Sequence, residues 1–181
     1  MIRIIGGKHR SRLISTPNEE VVLPTKNMVR EAIFSILGHR VMNAVVVDLF
    51  AGSGALGLEA VSRGAKRAYF SDSHPSPIKV ISANIATLKE EYKCEVHLCD
   101  FKEMIDYLEN NQILVDIVFI DPPYEAGYYD AVLEAFFASE LLQKGAKLVV
   151  ESRHEIDNKL LTNYDARHYR YGITHLLVIT I

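Results

Sequence analysis

The sequence predicts an α/β protein with a doubly wound, mainly parallel sheet, a C-terminal antiparallel hairpin and a small N-terminal extension. Short apolar runs rich in β-branched residues alternate with segments of helical periodicity, as in parallel sheets covered by helices on both faces. The last two strand-like segments flank Gly172, which is typical of a hairpin. Together these observations favour a single sheet-containing domain that follows a short arm.

The chain begins with the N-terminal arm (residues 1–17) and a helix. The arm is expected to form two short strand-like pieces around Gly6 and Gly7. Apolar residues then recur at helical spacing, and Thr25 is expected to cap this helix while Gly38 ends it. The arm and helix make up a predicted N-terminal unit of residues 1–40.

Strands and helices alternate through residues 41–181, the predicted main domain. The predicted strands cover residues 45–50, 68–72, 95–99, 115–120 and 147–151. The predicted helices cover residues 54–63, 76–88, 102–110 and 129–140. The hairpin of residues 165–171 and 175–181 adds an antiparallel edge.

Composition indicates a cytoplasmic protein that does not enter membranes. No apolar stretch approaches the ~20 residues of a membrane span, and the N-terminus lacks the apolar core of a secretory signal. Cys94 and Cys99 are expected to be reduced thiols. The histidines show no metal-ligand spacing, so no metal site is expected.

Charge is unevenly distributed. The net charge is −3, but the arm carries four basic residues and no acid, so the remaining chain sums to −7. A basic arm on an acidic body suggests contact with an anionic partner. A solvated tail is the alternative interpretation.

Three glycines follow the first predicted strand. Gly52, Gly54 and Gly57 match the G-x-G-x-x-G pattern between a strand and a helix, where glycines allow a tight turn and close approach of a ligand. The pattern predicts an adenosine-type cofactor but does not identify it.

Acids at the strand ends discriminate between cofactors. Asp48 and Asp121 make the predicted pocket anionic, which disfavours a pyrophosphate and favours the cationic S-adenosylmethionine. Asp72 is placed to accept from both ribose hydroxyls, and Asp100 from the adenine amine with Phe101 beside the ring. Each acid has an alternative role as a helix cap or a solvated turn. The candidate cofactor-binding residues are Asp48, Phe50, Gly52, Ser53, Gly54, Gly57, Asp72, Ser73, Asp100 and Phe101.

The fourth predicted strand runs into Asp121, Pro122, Pro123 and Tyr124, the candidate catalytic residues. The prolines end the strand and stiffen the turn. The Asp121 carboxylate and the Pro122 carbonyl can accept the hydrogens of an exocyclic amine, while the Tyr124 ring stacks on the base. The alternative is a strand-ending turn with a packed tyrosine.

Several segments together resemble the bacterial 16S ribosomal RNA guanine-N2 methyltransferase D family. The resemblance covers nearly the full length. It lies in Arg3–Lys8 with Arg12-Leu13, in Pro24-Thr25 leading to Val29–Phe34, in Asp48–Ala65 and in Asp121–Tyr124. Two positions depart from the family pattern: Leu23 stands where arginine is usual, and Asp72 where glutamate is common.

The resemblance implies a class I methyltransferase fold, S-adenosylmethionine as donor and S-adenosylhomocysteine as product. It implies one guanine of 16S rRNA as acceptor, presented in the small ribosomal subunit or an assembly intermediate. Residues 41–181 are then expected to form the methyltransferase domain, and the arm and helix of residues 1–40 to contact the RNA; the protein is expected to be a monomer. Candidate RNA-binding residues are Arg3, Lys8, Arg10, Arg12, Lys26 and Arg30. The loss of arginine at Leu23 leaves the details of RNA contact open.

Three other functions remain as alternatives. An adenine-N6 methyltransferase acting on DNA or RNA would use the same catalytic turn. A nicotinamide-dependent oxidoreductase would use the glycine pattern but leaves Asp48 and the Asp-Pro-Pro-Tyr turn unexplained. A non-catalytic RNA-binding assembly module would not need every polar site position to be occupied.

Overall fold

The computed structural model describes residues 1–17, 24–122, 128–156 and 159–181. The strands are β1 (Ile2–Arg3), β2 (Leu13–Ile14), β3 (Val45–Asp48), β4 (Arg67–Asp72), β5 (Cys94–Leu98), β6 (Val115–Ile120), β7 (Leu142–Ser152), β8 (Asp165–Tyr171) and β9 (Thr174–Thr180). The helices are α1 (Pro24–Leu37), α2 (Ala55–Ser62), α3 (Pro75–Leu88), α4 (Phe101–Asn110) and α5 (Tyr128–Ala138). Short 3-10 helices cover Gly38–Val41 and Lys159–Asn163.

The main sheet has seven strands in the order β5-β4-β3-β6-β7-β9-β8. Strands β3 to β7 pair in parallel, whereas β9 is antiparallel to both β7 and β8. The predicted mainly parallel sheet with a C-terminal hairpin is therefore confirmed. Within the described residues, no helix is long and apolar enough to cross a membrane.

Two predicted boundaries were wrong. Helix α1 already begins at Pro24, so Thr25 lies in its first turn and is not its cap. Proline suits the first helical position, because its missing N–H would have no partner there. Strand β7 begins at Leu142 instead of residue 147. The sequence did not predict the first, mainly polar part of β7, because backbone pairing with neighbouring strands, and not an apolar run of side chains, defines it.

The two faces of the sheet bury alternate residues, as the pleat of a strand requires. Val47, Val118 and Ile120 pack on one face against α4 and α5. Ile117 and Phe119 face the other side, where they pack with residues of α1 and α2. Both faces are thus covered by helices, which explains the nearly continuous apolar sequence of β6.

The arm is folded against the main domain. Strands β1 and β2 pair antiparallel, as the two strand-like pieces predicted. Ile4 and Ile14 are fully buried and pack with Leu58 of α2 and Ile85 of α3. The burial of these two isoleucines stabilises the docked position of the arm by roughly 2 kcal/mol each.

Two buried carboxylates of the main domain, those of Glu59 and Glu90, bind the arm. Both oxygens of Glu59 accept from arm backbone: Oε2 from the Ile5 N–H at 2.8 Å and Oε1 from the Gly6 N–H at 2.7 Å. Glu90, also buried, contacts Lys8 Nζ at 2.5 Å and bonds the ring of His9. A disordered tail, the alternative interpretation of the arm, is therefore excluded for its described residues.

Candidate active site

The candidate site lies where the strand order reverses. The chain runs from β3 outward to β4 and β5, then returns to β6 on the other side of β3. In doubly wound sheets this reversal leaves a crevice at the carboxyl ends of the two central strands, where ligands bind. Asp48 ends β3 and Asp121 directly follows β6, so both predicted acids lie at the crevice.

Asp48 is a buried carboxylate with one hydrogen-bond donor among the described residues. Its side chain is almost fully buried, and Oδ2 accepts from the Gly57 N–H at 3.0 Å. The pKa of Asp48 is raised to about 7, chiefly by burial; the hydrogen bond from Gly57 opposes this shift, and the nearby Asp72 charge adds to it. An acid so placed gains most from a cationic ligand.

The glycine loop adopts the backbone that its sequence predicts. Gly52 and Gly54 have φ angles of 54° and 75°, a left-handed region that L side chains rarely adopt. A Cβ at Gly57 would lie 2.2 Å from the ring of Phe70, so glycine there lets α2 pack closely on β4. That packing brings the Gly57 N–H to Asp48.

The next two predicted acids, Asp72 and Asp100, both accept hydrogen bonds from nearby backbone amides. Asp72 Oδ2 accepts from the Gly52 N–H at 3.1 Å, and Oδ1 accepts from the His74 N–H at 3.0 Å. Asp100 is the N-cap of α4, where one oxygen accepts from two backbone amides and Glu103 completes a capping box. The helix-cap alternative for Asp100 is therefore real, although its side chain also lines the cleft.

The crevice consists of two adjoining cavities. The first, about 430 Å³, is lined on one side by Phe50, Asp72, Ser73, Asp100 and Phe101. The second, about 330 Å³, includes Asp48, Gly52, Ser53, Lys26 and Glu151 in its walls. Asp121, Phe50 and Pro77 line both. The structure thus brings all but Gly54 and Gly57 of the predicted cofactor residues to one crevice, with Asp121 at the junction.

The first cavity offers aromatic surface as well as carboxylates. The ring centroids of Phe50 and Phe101 lie 6.3 Å apart, and Tyr128 sits about 6 Å from both with its ring edge toward them. Such a wall suits a flat heterocycle, and the acids suit hydroxyl and amine donors. Tyr128 escaped prediction because an aromatic residue at a helix start gives no binding signal in sequence.

Asp121 shares the second cavity with Glu151. Burial raises the pKa of Asp121 well above its ordinary value, the Glu151 carboxylate raises it further, and Lys26 lowers it. Burial likewise raises the pKa of Glu151, again opposed by Lys26. Sequence reasoning gave Glu151 no role, yet the signal existed: it ends a predicted strand, as Asp48 and Asp72 do.

The predicted basic residues have different surroundings. Arg3, Arg10 and Arg12 are exposed on the arm. Arg12 donates to the Thr87 carbonyl at 3.0 Å, and Lys8 is paired with Glu90. Arg30 is only 6% exposed.

The guanidinium of Arg30 forms hydrogen bonds with other groups of the protein. It donates to the Arg3 carbonyl at 2.6 Å and to Asn27 at 3.2 Å, and lies 3.9 Å from Glu59. These contacts give Arg30 a structural role beneath the arm. Leu23, Pro123 and Tyr124 lie outside the described residues.

The sheet order and the crevice define the class I methyltransferase fold, and solved structures agree. The Escherichia coli protein yhhF, described as a candidate methyltransferase, matches with a TM-score of 0.86 and 30% identity, over 99% of this chain and 97% of that one. The protein SMU.776, described as a candidate methyltransferase in complex with S-adenosylhomocysteine, shares the fold. Its TM-score is 0.70 at 14% identity, over 96% of this chain and 52% of that one.

Sequence comparison identifies the family. Residues 2–180 match the family described as conserved hypothetical protein 95. Ribosomal RNA small subunit methyltransferase D of Escherichia coli strain K12 is 35% identical over 161 residues, which are 89% of this chain and 78% of that protein. The chain belongs to the ribosomal RNA small subunit methyltransferase D family, as the sequence resemblance predicted.

Proposed function

We propose that this protein transfers a methyl group from S-adenosylmethionine to the exocyclic N2 amine of one guanine in 16S ribosomal RNA. The observation that carries the proposal is the two-part crevice, in which Asp121 lines both a cavity suited to the adenosine part of a cofactor and a cavity that includes Asp48 and Glu151, where the cationic end of the cofactor and the acceptor base would meet. Family membership supports ribosomal RNA as the substrate, since the Escherichia coli relative is named for that activity.

The residues present fit S-adenosylmethionine. Asp48 is buried and has a raised pKa, so a cationic partner would stabilise its ionised form. A side chain at Gly52 would meet no atom within 4 Å, which leaves space for a ligand against the loop. Asp72 and Asp100 supply acceptors for ribose and adenine, with Phe50 and Phe101 beside them. When bound, this cofactor supplies a methyl group on a cationic sulfur that an amine nitrogen can attack directly.

The chain's own task is to prepare the acceptor amine. Its lone pair is delocalised into the base, which makes the nitrogen a poor nucleophile. Asp121 and the Pro122 carbonyl would each accept one amine hydrogen, which favours a more tetrahedral nitrogen and directs its lone pair toward the methyl group. No strong base is required, because the proton leaves with or after methyl transfer. Most of the acceleration would come from positioning and electrostatics.

Access to the amine requires a base that has left its stack. Removing a base from a helix costs a few kcal/mol, and aromatic side chains commonly hold the extruded base. We assign that role to Tyr124, with Pro123 fixing the turn. The basic arm packs on the domain that carries the crevice. We therefore assign substrate recognition to the arm and to the shape of a folded RNA, such as the small subunit or an assembly intermediate, and propose that the protein binds it as a monomer.

The direct test is labelled methyl transfer to small subunits from cells that lack this protein, followed by mapping of the labelled base. We expect one N2-methylguanine. Label on adenine N6 would instead support the alternative methyltransferase. Binding of NADH in preference to S-adenosylhomocysteine would support an oxidoreductase, and RNA binding without any transfer would support an assembly module.

Replacing Asp121 tests the catalytic assignment. Asp121→Ala should lower turnover on the order of 100-fold or more, by analogy with the loss of one preorganised polar contact. Affinity for S-adenosylhomocysteine, measured by calorimetry, should stay within a few-fold of the unsubstituted protein. Asp130→Ala, at an exposed acid of α5, is the matched control. Turnover close to normal in Asp121→Ala would refute the role.

A further inference from the structure

Asp121 and Glu151 stand side by side at the ends of adjacent strands. β6 and β7 pair in parallel, with Phe119 opposite Val149 and Ile120 opposite Val150. Continued by one residue, this register places Asp121, which directly follows β6, opposite Glu151 of β7. Because paired residues of parallel strands point to the same face, both side chains are directed to the side of α1, and both line the 330 Å³ cavity.

Lys26 enters the same cavity from α1. Its charge lowers the pKa of Asp121 and of Glu151, which places its ammonium within electrostatic reach of both carboxylates. Among the polar groups of this cavity, which also include Asp48, Asn27 and Arg30, Asp121 and Glu151 therefore form a neighbouring pair of acceptors with the donor Lys26 within electrostatic reach. Carboxylates when ionised only accept, and an ammonium only donates, so this pattern has a defined polarity.

The pattern complements one nucleobase. The Watson–Crick edge of guanine carries two adjacent donors, N2–H and N1–H, followed by the acceptor O6. Adenine and cytosine also bear an exocyclic amine, but a ring-nitrogen acceptor lies next to it. That lone pair would face a carboxylate, and such repulsion rejects a competitor as effectively as a good contact selects the substrate.

We infer that Glu151 and Lys26 determine base specificity, Glu151 by accepting from guanine N1–H and Lys26 by donating to O6, while Asp121 holds the N2 amine. This inference rests on the proposed function and deepens it. Two carboxylates in one partly buried cavity repel each other, and base N–H donors placed against them relieve that repulsion. The acid pair is thereby suited to a base edge that donates twice.

The test uses small subunits in which the mapped target guanine is replaced by 2-aminopurine. This analogue keeps the acceptor amine but lacks N1–H and O6. The unsubstituted protein should prefer guanine over 2-aminopurine on the order of 100-fold or more in kcat/KM, since a site built to hydrogen-bond a group strongly rejects an analogue without it. Affinity measured without any methyl donor should show the same order of preference.

Two variants separate recognition from folding. Glu151→Gln can donate its amide to N1 of 2-aminopurine, and Lys26→Met keeps the stem without the charge. Each variant should lower the ratio of kcat/KM for guanine over 2-aminopurine to within ~10-fold, because it lacks the contact that distinguishes the two bases. Glu134→Gln and Lys66→Met, at exposed positions outside both cavities, should leave the preference unchanged.

The outcomes are distinguishable. A merely structural role for Glu151 or Lys26 would lower kcat/KM on both substrates equally, and the unchanged ratio would overturn the inference. If the variants are inactive on 2-aminopurine, the ratio of affinities decides in the same way. If the unsubstituted protein methylates a base other than guanine, the proposed function itself fails. If it makes N2-methylguanine while Glu151→Gln and Lys26→Met keep full preference, only the specificity assignment fails.

Discussion

The proposed function of Asp48 requires an ionised carboxylate, whereas burial in the fold stabilises the protonated form. Its buried carboxylate has a single described hydrogen-bond donor, Gly57, and burial raises its pKa to about 7. The fold therefore favours the protonated acid, whereas a cofactor ammonium would favour the ionised one. The stabilisation tied to this raised pKa is present below the unfolded value near 4 and is lost as the pH rises through about 7.

We predict that affinity for S-adenosylhomocysteine rises between pH 6 and pH 8, because Asp48 must be ionised to bind the amine. Calorimetry across this range measures it. Asp48→Asn should bind weakly with little dependence on pH. The same variant, without ligand, should gain on the order of 1 kcal/mol or more in free energy of unfolding at pH 8 and little at about pH 3, below the unfolded pKa of an aspartate. Weaker binding of the unsubstituted protein at pH 8 would contradict the assignment.

At the scale of single residues, the acids at the ends of strands could be predicted from the sequence. An apolar run shows where a parallel strand ends, and the fold then places that end at the crevice. Asp48, Asp72 and Asp121 reach the crevice for this reason. Glu59 and Glu90 could not be recognised as buried anchors. Their partners are backbone and side chains of the arm, more than 50 residues away in sequence. Glu59 lies on a helix and Glu90 just after one, where an acid ordinarily indicates a solvated surface.

The β1–β2 hairpin depends on the two helices beneath it. Glu59 accepts from two arm amides and from Arg63 Nε, and Ser62 Oγ accepts from the His9 N–H at 2.9 Å. Asn84 of α3 extends the contact, since Oδ1 accepts from the Ser15 N–H at 2.8 Å. The hydrogen bonds of these side chains hold the basic arm in one position on the main domain.

Glu59→Gln should lower the free energy of unfolding by about 2 to 4 kcal/mol, because one oxygen becomes an amide donor facing donors, and Arg63 loses its buried charge partner. Urea denaturation measures this, and hydrogen exchange should show early loss of protection at Ile5 and Gly6. Glu91→Gln, at an exposed acid, should stay within about 0.5 kcal/mol. Equal stability of Glu59→Gln would show that the arm is held mainly by its apolar contacts.

Across the whole molecule, charge separates into an arm of net +4 and a remainder of −7. Most described acids of the remainder are directed to solvent or the crevice, so the arm is the surface suited to phosphates. Lys8 is paired with Glu90, and Arg30 is buried. Arg3, Arg10 and Arg12 remain exposed on the arm, and we assign the proposed RNA contact first to Arg10 and Arg12.

Replacing Arg10 and Arg12 together by glutamine should weaken binding to the small subunit and lower the slope of log affinity against log salt by about 1.4 to 1.8, as expected for two lost phosphate contacts. Turnover at saturating substrate should change little. Lys66 and Lys144, replaced in the same way, provide a charge-matched control at exposed sites away from the arm. An unaltered slope would exclude these arginines from the interface.

Asn84 also donates from Nδ2 to the Ser15 carbonyl and to the Ser53 carbonyl, each at 3.0 Å. One amide thus joins the segment proposed to touch RNA to the glycine loop proposed to hold the methyl donor. Deleting the first seventeen residues would therefore not yield a minimal catalytic core. It would bare the apolar surface under Ile4 and Ile14 and loosen the donor loop, so a shortened enzyme would lose solubility and donor affinity together.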